Sequence, residues 1–154
     1  MSNYVTAIGL DVHARSISAC AFDPMTGEVS RARFGYDPAS VAEWALGFES
    51  PKAVYESGPT GFHLCRALGA LGVDCAVGAV SKMHRPAADR GRKNDRRDAE
   101  WLARLLACRN VVEVWVPDER TEAARDLSRA LEDARDDLQR ARQRMSKFLL
   151  RHGL

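Results

Sequence analysis

Acids and cations crowd one stretch of this chain, residues 90–106, which reads RGRKNDRRDAEWLARLL. Asp95 and Asp98 stand three residues apart where a helical pattern begins, so they share one helix face. Arg92, Lys93, Arg96 and Arg97 surround them. Two neighbouring carboxylates repel each other unless a cation lies between them. Arginines offset that repulsion in part, and a divalent metal would offset it further. The basic flank also suits a phosphate. The chemistry suggested is a metal-assisted phosphate site, provided more carboxylates arrive from elsewhere. Taken alone, the stretch reads more readily as the solvated, charge-laced start of an ordinary helix.

Two further carboxylates stand at strand ends. Tyr4 to Leu10 is short, apolar and rich in strand formers, and Asp11 follows it. It reads as a central strand delivering a carboxylate at its C-terminal end. Lys52 to Tyr55 is another such run, followed by Glu56 and the loop Ser57-Gly-Pro-Thr-Gly61.

The elements between them follow from pattern and turn chemistry. Ser16–Phe22 and Val29–Tyr36 alternate as strands, the latter with Arg31 and Arg33 on one side and Ala32 and Phe34 on the other. The turn at Asp23-Pro-Met-Thr-Gly27 joins them, so the first three strands form an antiparallel meander. Asp37 and Pro38 are N-cap and first residue of a helix whose apolar face is Val41, Trp44, Ala45 and Phe48. A second helix runs from Phe62 to Leu71 and stops at Gly72; Val73–Val80 is a fifth strand. A polar, basic loop spans residues 81–94. The acidic helix then runs from Asp95 to Cys108 with Trp101, Leu102, Leu105 and Leu106 inward, and Val111–Val116 is a short extended run. Trp44, Trp101 and Trp115 read as core, and His63 as a partly buried polar contact.

From Thr121 the chain reads as one long helix. Leu127, Leu131, Ala134, Leu138, Ala141, Met145 and Phe148 alternate at spacings of four and three, a heptad seam over three repeats. The seam predicts coiled-coil pairing; packing along the chain's own domain is the alternative. Residues 140–151 hold five Lys and Arg and no acid. We expect residues 1–118 to form one domain and 119–154 the coiled-coil helix. The final Gly153-Leu154 closes no element, which suggests that a further domain follows in a longer protein.

Composition narrows the classes. The chain has 154 residues, 45% of them hydrophobic, enough for one real core. Net charge is only +2, but its distribution is uneven. Residues 1–83 carry 6 Lys and Arg against 8 Asp and Glu, and residues 84–154 carry 17 against 13. The second part therefore suits a polyanionic partner. Cys20, Cys65, Cys75 and Cys108 form no CxxC pair, as expected for buried thiols of a reducing compartment. With no signal peptide and no membrane-length apolar run, the sequence predicts a soluble cytoplasmic protein.

In the β-β-β-α-β-α-β order, the first and fourth strands lie side by side and parallel. Asp11 and Glu56 then face each other at adjacent strand ends, where doubly wound sheets bind ligands, and Asp95 and Asp98 can close the cluster. Four such acids suit Mg²⁺ or Mn²⁺. Two ions roughly 4 Å apart are the usual device for activating a water or hydroxyl at a phosphodiester.

The segments Ile8-Gly-Leu-Asp11-Val-His, Tyr55-Glu56-Ser-Gly-Pro-Thr-Gly61 and Lys93-Asn-Asp95-Arg-Arg-Asp98-Ala-Glu-Trp-Leu-Ala-Arg resemble the N-terminal domain of the DEDD-type transposases. This is the bacterial insertion-sequence family whose founding element is numbered one-ten. The resemblance runs over residues 4–150. It implies an α/β, RNase H-like (RuvC-like) fold, with a mixed five-stranded sheet, flanking helices and a long C-terminal coiled-coil helix. It implies that Asp11, Glu56, Asp95 and Asp98 are the metal-binding and catalytic acids, holding Mg²⁺ or Mn²⁺ as two ions. It further implies DNA as substrate, a structured guide RNA for some members, and a second domain with a nucleophilic serine beyond this sequence. Two departures stand out. His13-Ala-Arg15 replaces the usual Ser-Lys, and Ser57-Gly-Pro-Thr-Gly61 the usual Ala-Thr-Gly. Neither removes an acid, and both bear on how a strand is held.

The expected nucleic-acid contacts are His84, Arg85, Arg90, Arg92 and Lys93 of the loop, with Arg96 and Arg97 of the helix, because Arg and Lys supply most sequence-independent affinity. A homo-oligomer through the coiled coil is also expected. Two other classes compete with a two-metal recombinase domain. One is a non-catalytic nucleic-acid-binding and dimerisation module of a transposase. The other is a kinase-like or actin-like ATPase, disfavoured because no phosphate loop is present.

Overall fold

Side chains of unequal bulk on the two faces of one sheet decide how that sheet is covered. In a computed structural model, which describes residues 5–79, 82–83 and 95–154, five strands are present. They are β1 (Thr6–Val12), β2 (Ser16–Phe22), β3 (Val29–Gly35), β4 (Pro51–Glu56) and β5 (Asp74–Gly78). Their spatial order is β3-β2-β1-β4-β5. β1 pairs antiparallel with β2 and parallel with β4; β2–β3 is antiparallel and β4–β5 parallel. The meander and the parallel β1–β4 pair are as the sequence predicts. With the four helices below, the class is α/β, consistent with the RNase H-like sheet expected from the resemblance.

One face carries Ile8, Leu10, Ile17, Ala19, Ala53 and Tyr55, all buried in the main core. Helices α1 (Pro38–Leu46) and α2 (His63–Ala70) contribute Val41, Ala42, Ala45, Leu64, Cys65 and Leu68 to it. The cap of α1 is as expected: the Asp37 carboxylate accepts from the backbone N–H of Ala39 at 3.1 Å and of Ser40 at 3.3 Å. Trp44 packs between Phe34 and Phe48, with ring centroids 5.9 and 4.9 Å away.

The opposite face carries small residues where β1 and β2 meet: Ala7 and Gly9 of β1, and Ser18 and Cys20 of β2. Helix α3 (Asp95–Ala107) lies on that face. A methyl group added at Gly9 would sit 2.5 Å from the Ala103 nitrogen and overlap the Ala99 carbonyl. Glycine is therefore required there by contact with a helix backbone. Ala99 and Ala103, four residues apart, form the stripe that meets it, flanked by Leu102 and Leu106. This corrects the expected inward set. Trp101 and Leu105 are only partly buried, and the alanines face the sheet because nothing larger fits over Gly9. Glu100 then reaches the edge strand, where its carboxylate accepts from Arg31 at 2.6 Å and from Arg104 at 2.9 Å.

The run 111–116 is not a full strand. Val114 N–H donates to Val77 O at 2.7 Å and Ala79 N–H to Val112 O at 2.8 Å, with one bridge between Gly78 and Glu113. Lys52 anchors that segment through Glu113 at 2.7 Å. Trp115 is 63% exposed and is not core, because the bridge turns its side chain outward. His63 is likewise exposed and lies against Tyr36.

The chain divides into two compact units, Met1–Val116 and Pro117–Leu154. The second is α4 (Glu119–Arg151), capped by the Asp118 carboxylate, which accepts from Thr121 N–H at 2.7 Å. Glu119 and Glu122 in its first turn and Arg151 in its last suit the helix dipole. Leu127, Leu131, Leu138, Met145 and Phe148 of the seam are all exposed. Among the described residues no helix is long and apolar enough to cross a membrane.

Two outcomes follow from the tight face. Gly9→Ala should cost about 1–3 kcal/mol or more in a urea melt, since an overpacked core rarely relaxes fully and the obstacle here is backbone. Cys20 is buried beneath Ala99 and Ala103, and burial, with help from Glu100, pushes its thiol up to about 11. At pH 8 an alkylating reagent followed by mass spectrometry should label exposed Cys108 in the folded protein and Cys20 only after denaturation. Rapid native labelling of Cys20 would mean that α3 does not stay seated.

Candidate acid cleft

Strand alternation places the acids. Asp11 follows Gly9 by two residues and Glu56 follows Val54 by two, so both project from the face that α3 covers. Leu10 pairs with Tyr55 in the parallel β1–β4 register, which brings the next residues of the two strands, Asp11 and Glu56, side by side. Asp98 comes down from the first turns of α3, one residue before the Ala99 that meets Gly9.

Asp11, Glu56 and Asp98 consequently line one cleft of about 460 Å³. Met83 and Trp101 give it apolar walls, and Ser57, Gly58, Pro59 and Thr60 form a rim. Asp98 is 8% exposed and the Asp11 side chain 19%. No Lys or Arg lines the cleft among the described residues. Three carboxylates gathered this way favour a cation between them.

The rim is held from below. Tyr55 is fully buried, and its hydroxyl donates to the Gly61 carbonyl at 2.9 Å. Ser57 N–H donates to Gly78 O at 2.9 Å, and Gly61 adopts a φ of +66°, in the left-handed region. Burial raises the Tyr55 phenol above its ordinary range, so it remains a donor. The reordered glycine loop is thus tied at both ends.

His13 lines the same cleft, with its Nε2 3.1 Å from the Asp11 Oδ2. The sequence identified it only as a departure from the usual Ser-Lys. Its backbone N–H donates to Ser16 O at 2.9 Å, closing the β1–β2 turn, so one residue holds both the turn and the acid.

Asp95 lies in the first turn of α3 by its backbone. Its side chain, the side chain of Arg96, and His84, Arg85, Arg90, Arg92 and Lys93 altogether lie outside the described residues. Arg97 is exposed and lines a shallow groove with Glu100, Trp101 and Arg104. Among the described residues no three His, Cys, Asp or Glu groups stand close enough to hold a metal ion. The described acids share a cleft without closing into a ligand shell. In donor chemistry they fit a hard divalent cation, since all three offer carboxylate oxygens.

Comparison with known proteins agrees with the motifs. A family model described as "Transposase" (DEDD_Tnp_IS110) matches residues 8–153. The chain is 43% identical over 127 residues to "Putative transposase y4qE" of Sinorhizobium fredii (strain NBRC 101917 / NGR234), a match covering 82% of this chain and 32% of that protein. It is 34% identical over 153 residues to "Transposase for insertion sequence element IS1533" of Leptospira borgpetersenii, covering 96% of this chain and 44% of that protein. The chain therefore spans less than half the length of either relative. Matched along almost its whole length, the chain belongs to the DEDD transposase family of insertion sequence IS110.

Proposed function

We propose that this chain is the acid-bearing domain of a DNA transposase, acting in metal-dependent phosphodiester cleavage or strand transfer during insertion-sequence mobility. One observation carries the reading: Asp11, Glu56 and Asp98, from three separate parts of the chain, line a single cleft. With Asp95, these residues would hold Mg²⁺ or Mn²⁺. Bound there as two ions, the metal supplies activation of the attacking oxygen and stabilisation of the leaving one.

The residues of the chain do the rest. Asp11 and Glu56 are fixed by adjacent parallel strands, so their separation is set by backbone hydrogen bonds. His13 orients the Asp11 carboxylate. The tied loop Ser57–Gly61 keeps the rim in place for a strand of DNA. Arg85, Arg90, Arg92, Lys93, Arg96 and Arg97 are proposed to neutralise the phosphates on either side. The relatives' names support DNA as the substrate; a structured RNA guide is proposed on family membership alone. A bacterial cytoplasmic location fits the relatives' source organisms. The exposed heptad seam of α4 supports pairing with a second copy of this chain through a coiled coil.

Mn²⁺ titration by calorimetry tests the site, using wild type and Asp98→Ala with and without a short duplex DNA. The expected result is saturable binding near two ions, tightened by DNA and lost in the variant. Absence of binding in every sample would leave a nucleic-acid-binding and dimerisation module in place of an enzyme. For α4, light scattering should give at least twice the monomer mass of 17.0 kDa. A charged residue at Leu131 or Leu138 should return it to that mass, and a monomer at high concentration in wild type would end the coiled-coil reading.

A further inference from the structure

The acid cleft uses none of the four cysteines, all of them free thiols. Two of them meet. Cys65 stands in the first turn of α2 and Cys75 near the start of β5, ten residues on. Strand alternation explains the meeting. Val77 is buried in the main core with Leu64 and Leu68 of α2, and Cys75, two positions earlier on β5, faces the same helix. The turn through Gly72 (φ +90°) folds the chain back, and Val73 N–H donates to Leu68 O at 3.0 Å to hold it. Cys65 Sγ then lies 3.0 Å from the Cys75 carbonyl oxygen, and the Cys75 thiol is within hydrogen-bonding reach of the Cys65 sulfur.

A buried cysteine is ordinarily a small hydrophobe, and Cys20 is one. It sits on the opposite face of the sheet, against α3, where burial raises its thiol. Cys65 differs. The Cys75 thiol beside it, helped by the Arg66 guanidinium, holds the Cys65 thiol below its ordinary value against the effect of burial. The same contact, together with burial, pushes Cys75 up. One sulfur is therefore the favoured attacking thiolate, and the other stands where it can resolve what the first forms. Cys75 is only partly buried and β5 is an outer strand of the sheet, so a small reagent has an approach.

We propose that Cys65 and Cys75 are a reversible disulfide site, closed by a hydroperoxide and reopened by a dithiol. With hydrogen peroxide, the Cys65 sulfur attacks one oxygen, the O–O bond breaks and a water leaves, giving a sulfenic acid. The Cys75 sulfur then attacks that sulfur, the S–O bond breaks and a second water leaves. Two electrons and two protons have passed from the thiols to the peroxide. In a reducing compartment the pair rests as thiols. Closing it would join α2 covalently to β5, four residues after Gly61. The near end of the rim loop is already held by β5, through Ser57 N–H and Gly78 O. The bond would fix the far end to the same strand. None of this depends on what the cleft binds.

The test treats the reduced whole chain with hydrogen peroxide, at a dose that oxidises about half of exposed Cys108. Remaining thiols are alkylated in denaturant, and tryptic peptides are weighed. Cleavage after Arg66 separates the two cysteines, so a disulfide appears as a joined pair of peptides, lighter by two hydrogen atoms than their sum and parted by dithiothreitol. The joined pair should form several-fold more in folded than in urea-unfolded protein, with Cys20 still a thiol. In Cys75→Ser the joined pair should be lost, and a dione probe should trap the Cys65 sulfenic acid. Both thiols alkylated in full, or a joined pair no more abundant folded than unfolded, would overturn the proposal.

Discussion

The seat of α3 on Gly9 is the contact on which the functional architecture depends. Helices usually stand off a sheet by the depth of interlocking side chains. Here that layer is missing at one point, and the backbone of the helix meets the backbone of the strand. Alanines at 99 and 103 complete the notch from the helix side. The approach brings Asp98 down to the level of Asp11 and Glu56. With a larger residue at position 9, the same acids would exist on the same elements and still face one another across too wide a space.

Electrostatics and packing are divided between neighbouring regions. The cleft gathers carboxylates and has no cation among its described lining, whereas cations occupy the flanks. Glu100 shows how the boundary is drawn. Arg31, then Arg104, holds its carboxyl below the ordinary value, so it stays ionised as a structural tie. It offers its charge to two arginines and is not a member of the cleft. Five residues of α3, from Asp95 to Ala99, thus hold two acids expected at the site, two cations and the packing contact.

Much of this was legible in the sequence. Element order, the antiparallel meander, the parallel β1–β4 pair and the cap at Asp37 follow from alternation, turn chemistry and a single Asp-Pro step. The meeting of Asp11, Glu56 and Asp98 in one cleft was also legible, because strand ends and helix starts converge in this topology; the side chain of Asp95 lies outside the described residues. The facing of α3 did not. Periodicity favours the bulkiest stripe, and the alanine stripe wins only because of what lies beneath it, a partner distant in sequence. Trp115 misled for the same kind of reason: its apolar run looks like a strand, yet it makes one bridge and turns the indole to solvent. His63 took its partner from Tyr36 on a different element, and no local pattern could show that. His13 was visible as a departure from the family's usual residues, but its contact with Asp11 depends on the tightness of the β1–β2 turn.

The notch at Gly9 also works as a ruler. A helix turns about 100° and advances about 1.5 Å per residue. Once Ala99 and Ala103 are pinned over Gly9, the direction of Asp98 is determined by counting along the chain. A single residue inserted between Asp98 and Ala99 would leave the helix, the notch and the sheet intact, yet swing the carboxylate a quarter-turn or more out of the cleft. The same insertion beyond Ala107, past the notch, would leave that carboxylate where it is. The spacing from Asp98 to Ala103 is therefore held more tightly by the fold than the identity of most residues around it.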